Sequence, residues 1–248
     1  NTPLTDLIVE NGDVVGVRTT VDGEPGELRA RYGVILGSGG FEHNPEMRAK
    51  YQRAPIGSEW TTGAPSNTGD GINAAIAAGA GVSLMDDAWW GPTIPLPKGP
   101  WFALSERSVP GTFIVNTRGE RFMNESLPYV EAVHQMYGGD FGQGEGPGEN
   151  VPGWLIFDQR CRNRYLFAGI TARQPMPKSW TKSGVVVKAA TLDELAEKTG
   201  LPVDKLKATT DRFNGFARSG KDEDFHRGDS AYDHYYGDIT NKPNPSLG

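Results

Sequence analysis

Tyr129 closes the run Arg121-Phe122-Met123-Asn124-Glu125-Ser126-Leu127-Pro128 and is the residue of this sequence best placed to move a proton. Pro128 fixes its own φ and biases Leu127 toward extended backbone, so Tyr129 leaves a stiff stretch of chain. Taken alone, it reads first as a buried tyrosine whose hydroxyl caps a loop, and only its company lifts it. Gly37-Ser38-Gly39-Gly40 follows an apolar run, and the amides there, at Gly39 and Gly40 above all, are free to approach a phosphate or the edge of a cofactor. The run is not the GxGxxG dinucleotide fingerprint, and a tight structural turn explains it alone. In Thr68-Gly69-Asp70-Gly71, two glycines allow a ligand close to the backbone and the Asp70 carboxylate can accept from a hydroxyl. Asp70 is also a favoured helix N-cap type.

The remaining reactive residues carry less. His43, His134, His226 and His234 are scattered without metal-ligand spacing, so no metal is expected. His134, five residues past Tyr129, reads as an ordinary polar histidine. Cys161 lies between Arg160 and Arg162, neighbours able to lower a thiol pKa. It has no partnered base, and reads as structural.

The elements that must position these residues are legible in part. Leu7-Ile8-Val9 and Val14-Val15-Gly16-Val17 flank Asn11-Gly12, a hairpin signal because both turn residues tolerate positive φ. A second turn falls at Asp22-Gly23. Gly33-Val34-Ile35-Leu36 is an apolar run suited to a buried strand. Pro45 to Gln52 and residues 70–80, rich in small side chains, read as helices. From Trp89 to Pro110 the chain turns aromatic and proline-rich, as a domain crossover or pocket wall would, or equally a packed surface loop. Phe113-Ile114-Val115-Asn116 reads as a strand, with a turn at Thr117-Arg118-Gly119. Residues 138–153 read as a long exposed loop. Thr191 followed by Glu194 is a capping box, Gly200 ends that helix, and Pro202 opens a second that runs to about Phe216.

Composition narrows the function class. The 248 residues suffice for one large domain or two modest ones. A net charge of -6 argues against a nucleic-acid partner. Residues 191–218 do resemble a helix-turn-helix, but the second helix carries Asp204 and Asp211 against Lys205, Lys207 and Arg212, a poor footprint for phosphates. A single cysteine points to a reducing, cytoplasmic setting. No run of about 18 apolar residues exists, so no transmembrane segment is expected. The ends at Asn1 and Gly248 read as those of a segment from a longer protein.

Taken in order, the hairpin, the strand ending in GSGGFE, TGDG with its helix, the Trp/Pro stretch and FIVNTRGERFMNES resemble the fumarate reductase and succinate dehydrogenase flavoprotein superfamily. RFMNESLPYVEA, GKDEDFHRG at 220–228 and YDHYYGD at 232–238 resemble its bacterial 3-ketosteroid Δ1-dehydrogenase branch. That resemblance implies α/β plus α+β architecture: residues 1–90 as part of a Rossmann-like FAD-binding domain and 91–248 as a fumarate-reductase-type catalytic domain. It places Gly39, Gly40 and Asp70 near FAD.

The substrate expectation comes from departures within that resemblance. Fumarate reductases carry His-Pro-Thr where this chain has Gly91-Pro92-Thr93, and an arginine proton donor where it has Tyr129. Without those anchors the pocket suits an apolar polycycle better than a dicarboxylate. The resemblance implies a 3-ketosteroid substrate, with Tyr129 taking the C2 proton while hydride leaves C1 for the flavin N5, and an electron acceptor that is not identified. A tyrosine, with a reference pKa of about 10, acts as a base only if its phenolate is stabilised. The helpers that the branch uses for this belong to segments outside this chain. The related Δ4-(5α)-dehydrogenase is the neighbouring alternative.

Overall fold

The computed structural model describes residues 2–248, and by internal contacts the chain divides into two compact units: 1–52 with 56–87, and 53–55 with 88–248. The first unit opens with an antiparallel meander of β1 (Leu4–Glu10), β2 (Asp13–Val21) and β3 (Glu24–Arg29). Both hairpins turn where the sequence places them. Asn11 and Gly12 have φ of 55° and 89°, Asp22 and Gly23 of 52° and 92°, the paired positive values of a turn that matches strand twist. Two helices follow, α1 (Pro45–Tyr51) and α2 (Asp70–Ala77). Asn44 caps α1 by accepting from the Met47 amide at 3.0 Å, and Pro45 occupies the first helical position, where its missing N–H costs nothing.

Gly33 to Leu36 is not a strand, contrary to the expectation from its apolar run. These residues pair with no other strand among those described, and Ile35 is 98% exposed. Strand propensity alone does not hold a segment that has no ladder to join.

The second unit is built around β6 and β7. After the two-residue strands β4 (Thr93–Ile94) and β5 (Trp101–Phe102) come β6 (Thr112–Val115), α3 (Tyr129–Tyr137) and β7 (Trp154–Phe157). Then follow α4 (Gln159–Arg164), α5 (Lys178–Lys182), α6 (Leu192–Thr199) and α7 (Val203–Ser219). β6 and β7 pair antiparallel from Thr112↔Phe157 to Val115↔Trp154. All four residues of β6 are buried, because side chains of period two serve two cores. Phe113 and Val115 pack with Ala196, Leu206, Phe213 and Phe216 of the α6–α7 hairpin. Ile114 packs with Met123 and Ala132, on the side that carries α3.

The helical pair stands as expected, with one change. Thr191 Oγ1 accepts from the Glu194 amide at 3.2 Å, but the Glu194 carboxylate reaches the Ala190 amide and not that of Thr191. The loop 138–153 is mostly exposed but is not loose. The Arg53 guanidinium donates to the carbonyls of Tyr137, Gly138, Gly142, Glu145, Gly146 and Pro147, which draws the loop around a single cation. No helix among the described residues is long and apolar enough to cross a membrane.

Candidate active site

Tyr129 is the first residue of α3, directly after its N-cap Pro128. Its ring is half-buried, and two aromatic neighbours define its position. The Trp89 indole Nε1–H donates to the Tyr129 hydroxyl oxygen at 2.9 Å. The Phe102 ring meets the Tyr129 ring edge-to-face, with centroids 5.5 Å apart and planes at 72°. An indole N–H donates and cannot accept. Trp89 therefore holds the Tyr129 oxygen as an acceptor. Trp89 itself is 85% exposed, so the hydroxyl lies at the edge of the unit and not in its core. The reading of Tyr129 as a buried loop cap does not hold, since its hydroxyl meets a side chain that donates to it.

The three motifs that carried the resemblance converge on the loop that delivers Tyr129. Arg121 binds Glu125 through Nε and Nη2 at 2.9 and 2.8 Å, and reaches Asp222 of the 220–228 stretch at 2.9 Å. Arg227, from the same stretch, donates to Glu125 at 3.1 Å and to the Thr112 carbonyl at 2.6 Å. Asn124 donates to Asp233 of the 232–238 stretch at 3.2 Å, and its Oδ1 accepts from the Ser126 amide. The Ile114 amide completes the Glu125 shell from β6 at 3.0 Å. Arg107, also buried, donates to the Ala103 carbonyl at 3.0 Å and to that of Glu125. Each motif is legible in the sequence, but their joining is not. The available signal was their charge: RxxxE in one, and an Asp and Arg five apart in the other.

Burial opposes charge here, and the pairs decide the outcome. Desolvation alone would raise the Glu125 carboxyl, but Arg121 and then Arg227 outweigh it and the carboxyl ends below its usual range. Burial lowers Arg107 to about 10, which leaves it charged at neutral pH. Close to Tyr129 stands a cluster of phenols. Tyr235 and Tyr236 pack edge-to-face at 4.7 Å, and the Tyr236 hydroxyl is raised first by burial and then by Tyr235 and Tyr232, with Tyr129 adding to the same effect.

Gly39, Gly40 and Asp70 lie together within the first unit. The Gly69 amide donates to the Gly40 carbonyl at 3.0 Å, and Thr68 donates to the Asp70 carboxylate at 2.8 Å. Asp70 is not the cap of α2. That position belongs to Gly69, whose φ of 83° suits glycine, and Asp70 is the first helical residue with an exposed carboxylate. Among the described residues, the amides of Gly37 to Gly40 donate to no protein acceptor, and Gly39 has a φ of 92°. Exposed, unspent amides beside an exposed carboxylate fit the polar edge of a dinucleotide cofactor such as FAD.

Two other sequence candidates are plain. Burial, then Asp158, pushes the Cys161 thiol up to about 12, so it is inert despite its two arginines. His134 stacks edge-to-face on Phe141 with centroids 6.0 Å apart.

The chain matches the family model described as an FAD binding domain over residues 1–247. It is 68% identical over 253 residues to a 3-oxosteroid 1-dehydrogenase of Mycolicibacterium smegmatis, covering 100% of this chain and 44% of that protein. A 3-ketosteroid Δ1-dehydrogenase from Sterolibacterium denitrificans, solved with 1,4-androstadiene-3,17-dione, superposes with a TM-score of 0.90 at 38% identity, over 100% of this chain and 45% of that one. A flavocytochrome c3 fumarate reductase in an open conformation superposes at 0.53 with 25% identity, over 91% and 37%. The chain thus spans about half the length of the relatives it matches. Matched over nearly its whole length, it belongs to the FAD-binding-domain family of flavoproteins, with FAD as the cofactor of that family.

Proposed function

We propose that this chain is part of an enzyme that oxidises 3-ketosteroids by forming a C1–C2 double bond, with Tyr129 as the base. The observation that carries the reading is the Tyr129 hydroxyl, held as an acceptor by Trp89 beside the Phe102 ring. The 68% identity to a relative named 3-oxosteroid 1-dehydrogenase supports the same substrate class. The 3-keto group acidifies the proton at C2, and the Tyr129 oxygen takes it as the phenolate, leaving a neutral phenol. Trp89 occupies one side of that oxygen and leaves another for the substrate. FAD, when bound, supplies the acceptor for the hydride that leaves C1. Gly39 and Gly40 offer amides and Asp70 a carboxylate to the cofactor's polar groups. In this reading 1–90 belongs to the FAD domain and 91–248 to the catalytic domain. The reduced cofactor passes its electrons to an acceptor that this chain does not identify. The one cysteine, buried as a free thiol, fits a reducing, cytoplasmic setting.

The test is Tyr129→Phe in the full-length, FAD-loaded protein, mixed anaerobically with a 3-keto-4-ene steroid. The expected result is retained flavin absorbance, with steroid-driven bleaching slowed by roughly a hundredfold to ten-thousandfold, the span of a general base. Bleaching at the wild-type rate removes Tyr129 from the chemistry. The wild-type product from this 4-ene should be the 1,4-diene, whereas a protein that leaves the 4-ene unchanged and instead forms the C4–C5 double bond of a 5α-saturated 3-ketosteroid would move the assignment to the Δ4-(5α) reaction.

A further inference from the structure

Gly91 and Phe102 compete for one volume. A methyl group built on the Gly91 Cα would overlap Cε2, Cζ and Cδ2 of the Phe102 ring. Backbone strain is not the reason for glycine here, because Gly91 is absent from the residues with positive φ. Nor is the ring free to step aside with its backbone. Phe102 pairs with Thr93 across β4–β5, and the Ala103 amide donates to the Pro92 carbonyl at 2.8 Å. The ring in turn packs on Tyr129, while Trp89, two residues before Gly91, donates to the Tyr129 oxygen. One short segment thus meets Tyr129 at its hydroxyl directly and at its ring through Phe102. Tyr129 is half-buried at the start of a helix, where the core does not fix its side chain.

We propose that Gly91 is a positioning residue for Tyr129: by lacking a side chain it admits the Phe102 ring, which fixes the tyrosine with its hydroxyl on Trp89. The same exchange gives the wall beside the hydroxyl an aromatic surface, suited to a flat ring ketone and offering no charge to a carboxylate. This rests on the reading of Tyr129 as the base. Any side chain added at Gly91 drives the Phe102 ring toward Tyr129 or away from it, and either movement displaces the proton acceptor from its substrate.

The experiment compares Gly91→Ala, Phe102→Leu and the double variant in the full-length FAD-loaded enzyme, with Tyr129→Phe as reference. Leucine lacks the far ring edge that the added methyl group would strike. Gly91→Ala is expected to keep its flavin and its KM within about threefold while kcat falls on the order of tenfold to a hundredfold, the cost of a misplacement near 1 Å. The double variant is expected to recover kcat to the level of Phe102→Leu alone. Wild-type kcat in Gly91→Ala, or a double variant clearly slower than Phe102→Leu alone, overturns the proposal. If Gly91→Ala does not fold, a folded and active double variant supports the steric account and an unfolded one overturns it. A silent Gly91→Ala beside an inactive Tyr129→Phe sinks only the role of Gly91. An active Tyr129→Phe sinks the functional reading and this proposal with it.

Discussion

The loop that carries Tyr129 and the turn that carries Gly39, Gly40 and Asp70 are held by opposite means. Below Tyr129, Arg121, Glu125, Asp222 and Arg227 bring charges from two distant stretches of sequence into a site closed to water. Glu125 and Arg227 are fully buried. Around Gly39 and Asp70 the chain is held without buried charge: the Gly69–Gly40 and His43–Asn67 amide-carbonyl bonds, the Asn44 side chain on the Thr68 carbonyl, positive-φ glycines and an exposed carboxylate. The first arrangement fixes one geometry, because any other leaves a buried charge unpaired. The second leaves donors unspent. On the proposed reading this suits each site, since a base must be aimed, whereas a cofactor edge must be met by groups that no protein partner has claimed.

The sharpest way to break that contrast is Glu125→Gln. It removes the anion that touches both Arg121 and Arg227 while keeping shape. The expected loss is about 3–5 kcal/mol of unfolding free energy, the cost of stranding a buried charge, measured by denaturant unfolding of the full-length protein. A loss below about 1 kcal/mol would show the network to be no stronger than a surface pair. Arg212→Ala, which breaks the half-exposed pair with Asp224 at 2.5 Å, supplies that lower mark nearby.

What could be read from residues alone divides along the same line. Local chemistry was legible: both hairpin turns, the helix starts at Pro45 and Thr191 and the small-residue helix need only neighbours in sequence. The partners of Arg121 and Glu125 lie about a hundred residues away, and one-dimensional pattern gives no register between them. The failed strand at Gly33 to Leu36 has the same cause in reverse, since an apolar run specifies a strand only when a neighbouring strand exists to receive it. Trp89 was legible as an aromatic in a proline-rich stretch, but not as the donor to Tyr129, because that bond depends on how β4 and β5 fold back.

Gly69→Ala tests the other side of the comparison. The substitution forces an alanine into φ of 83° and sets its Cβ against Met47 and 3.0 Å from the Phe41 Cβ. The expected cost is about 1–3 kcal/mol, with FAD affinity falling as the Gly40 and Asp70 stretches part. Asp70→Asn in the same assay keeps the fold and removes only the carboxylate. A several-fold loss of FAD affinity with an unchanged melting temperature is expected, as for one hydrogen bond of about 1 kcal/mol. Unchanged affinity would remove Asp70 from the cofactor site.

The smallest effect belongs to Asp238, the last residue of the same 232–238 stretch whose Asp233 anchors the Tyr129 loop. Its carboxylate accepts from Thr240 at 2.6 and 2.9 Å and from Tyr165 at 2.8 Å, with Arg164 at 2.6 Å. Thr240 is the main cause that lowers its pKa to about 2, against burial. A carboxyl of depressed pKa adds stability that is complete above its unfolded value of about 3.9 and fades as pH falls through the folded one. The stability of the full-length protein should therefore drop between about pH 4 and pH 2 by an amount that Asp238→Asn abolishes. Because the group is partly exposed, that amount is less than about 1 kcal/mol. Unfolding curves of the two proteins at about pH 5 and about pH 2.5 would separate it. A loss as large as that of Glu125→Gln would mean that charge at the rim of this stretch matters as much as charge at its base, which would dissolve the contrast between them.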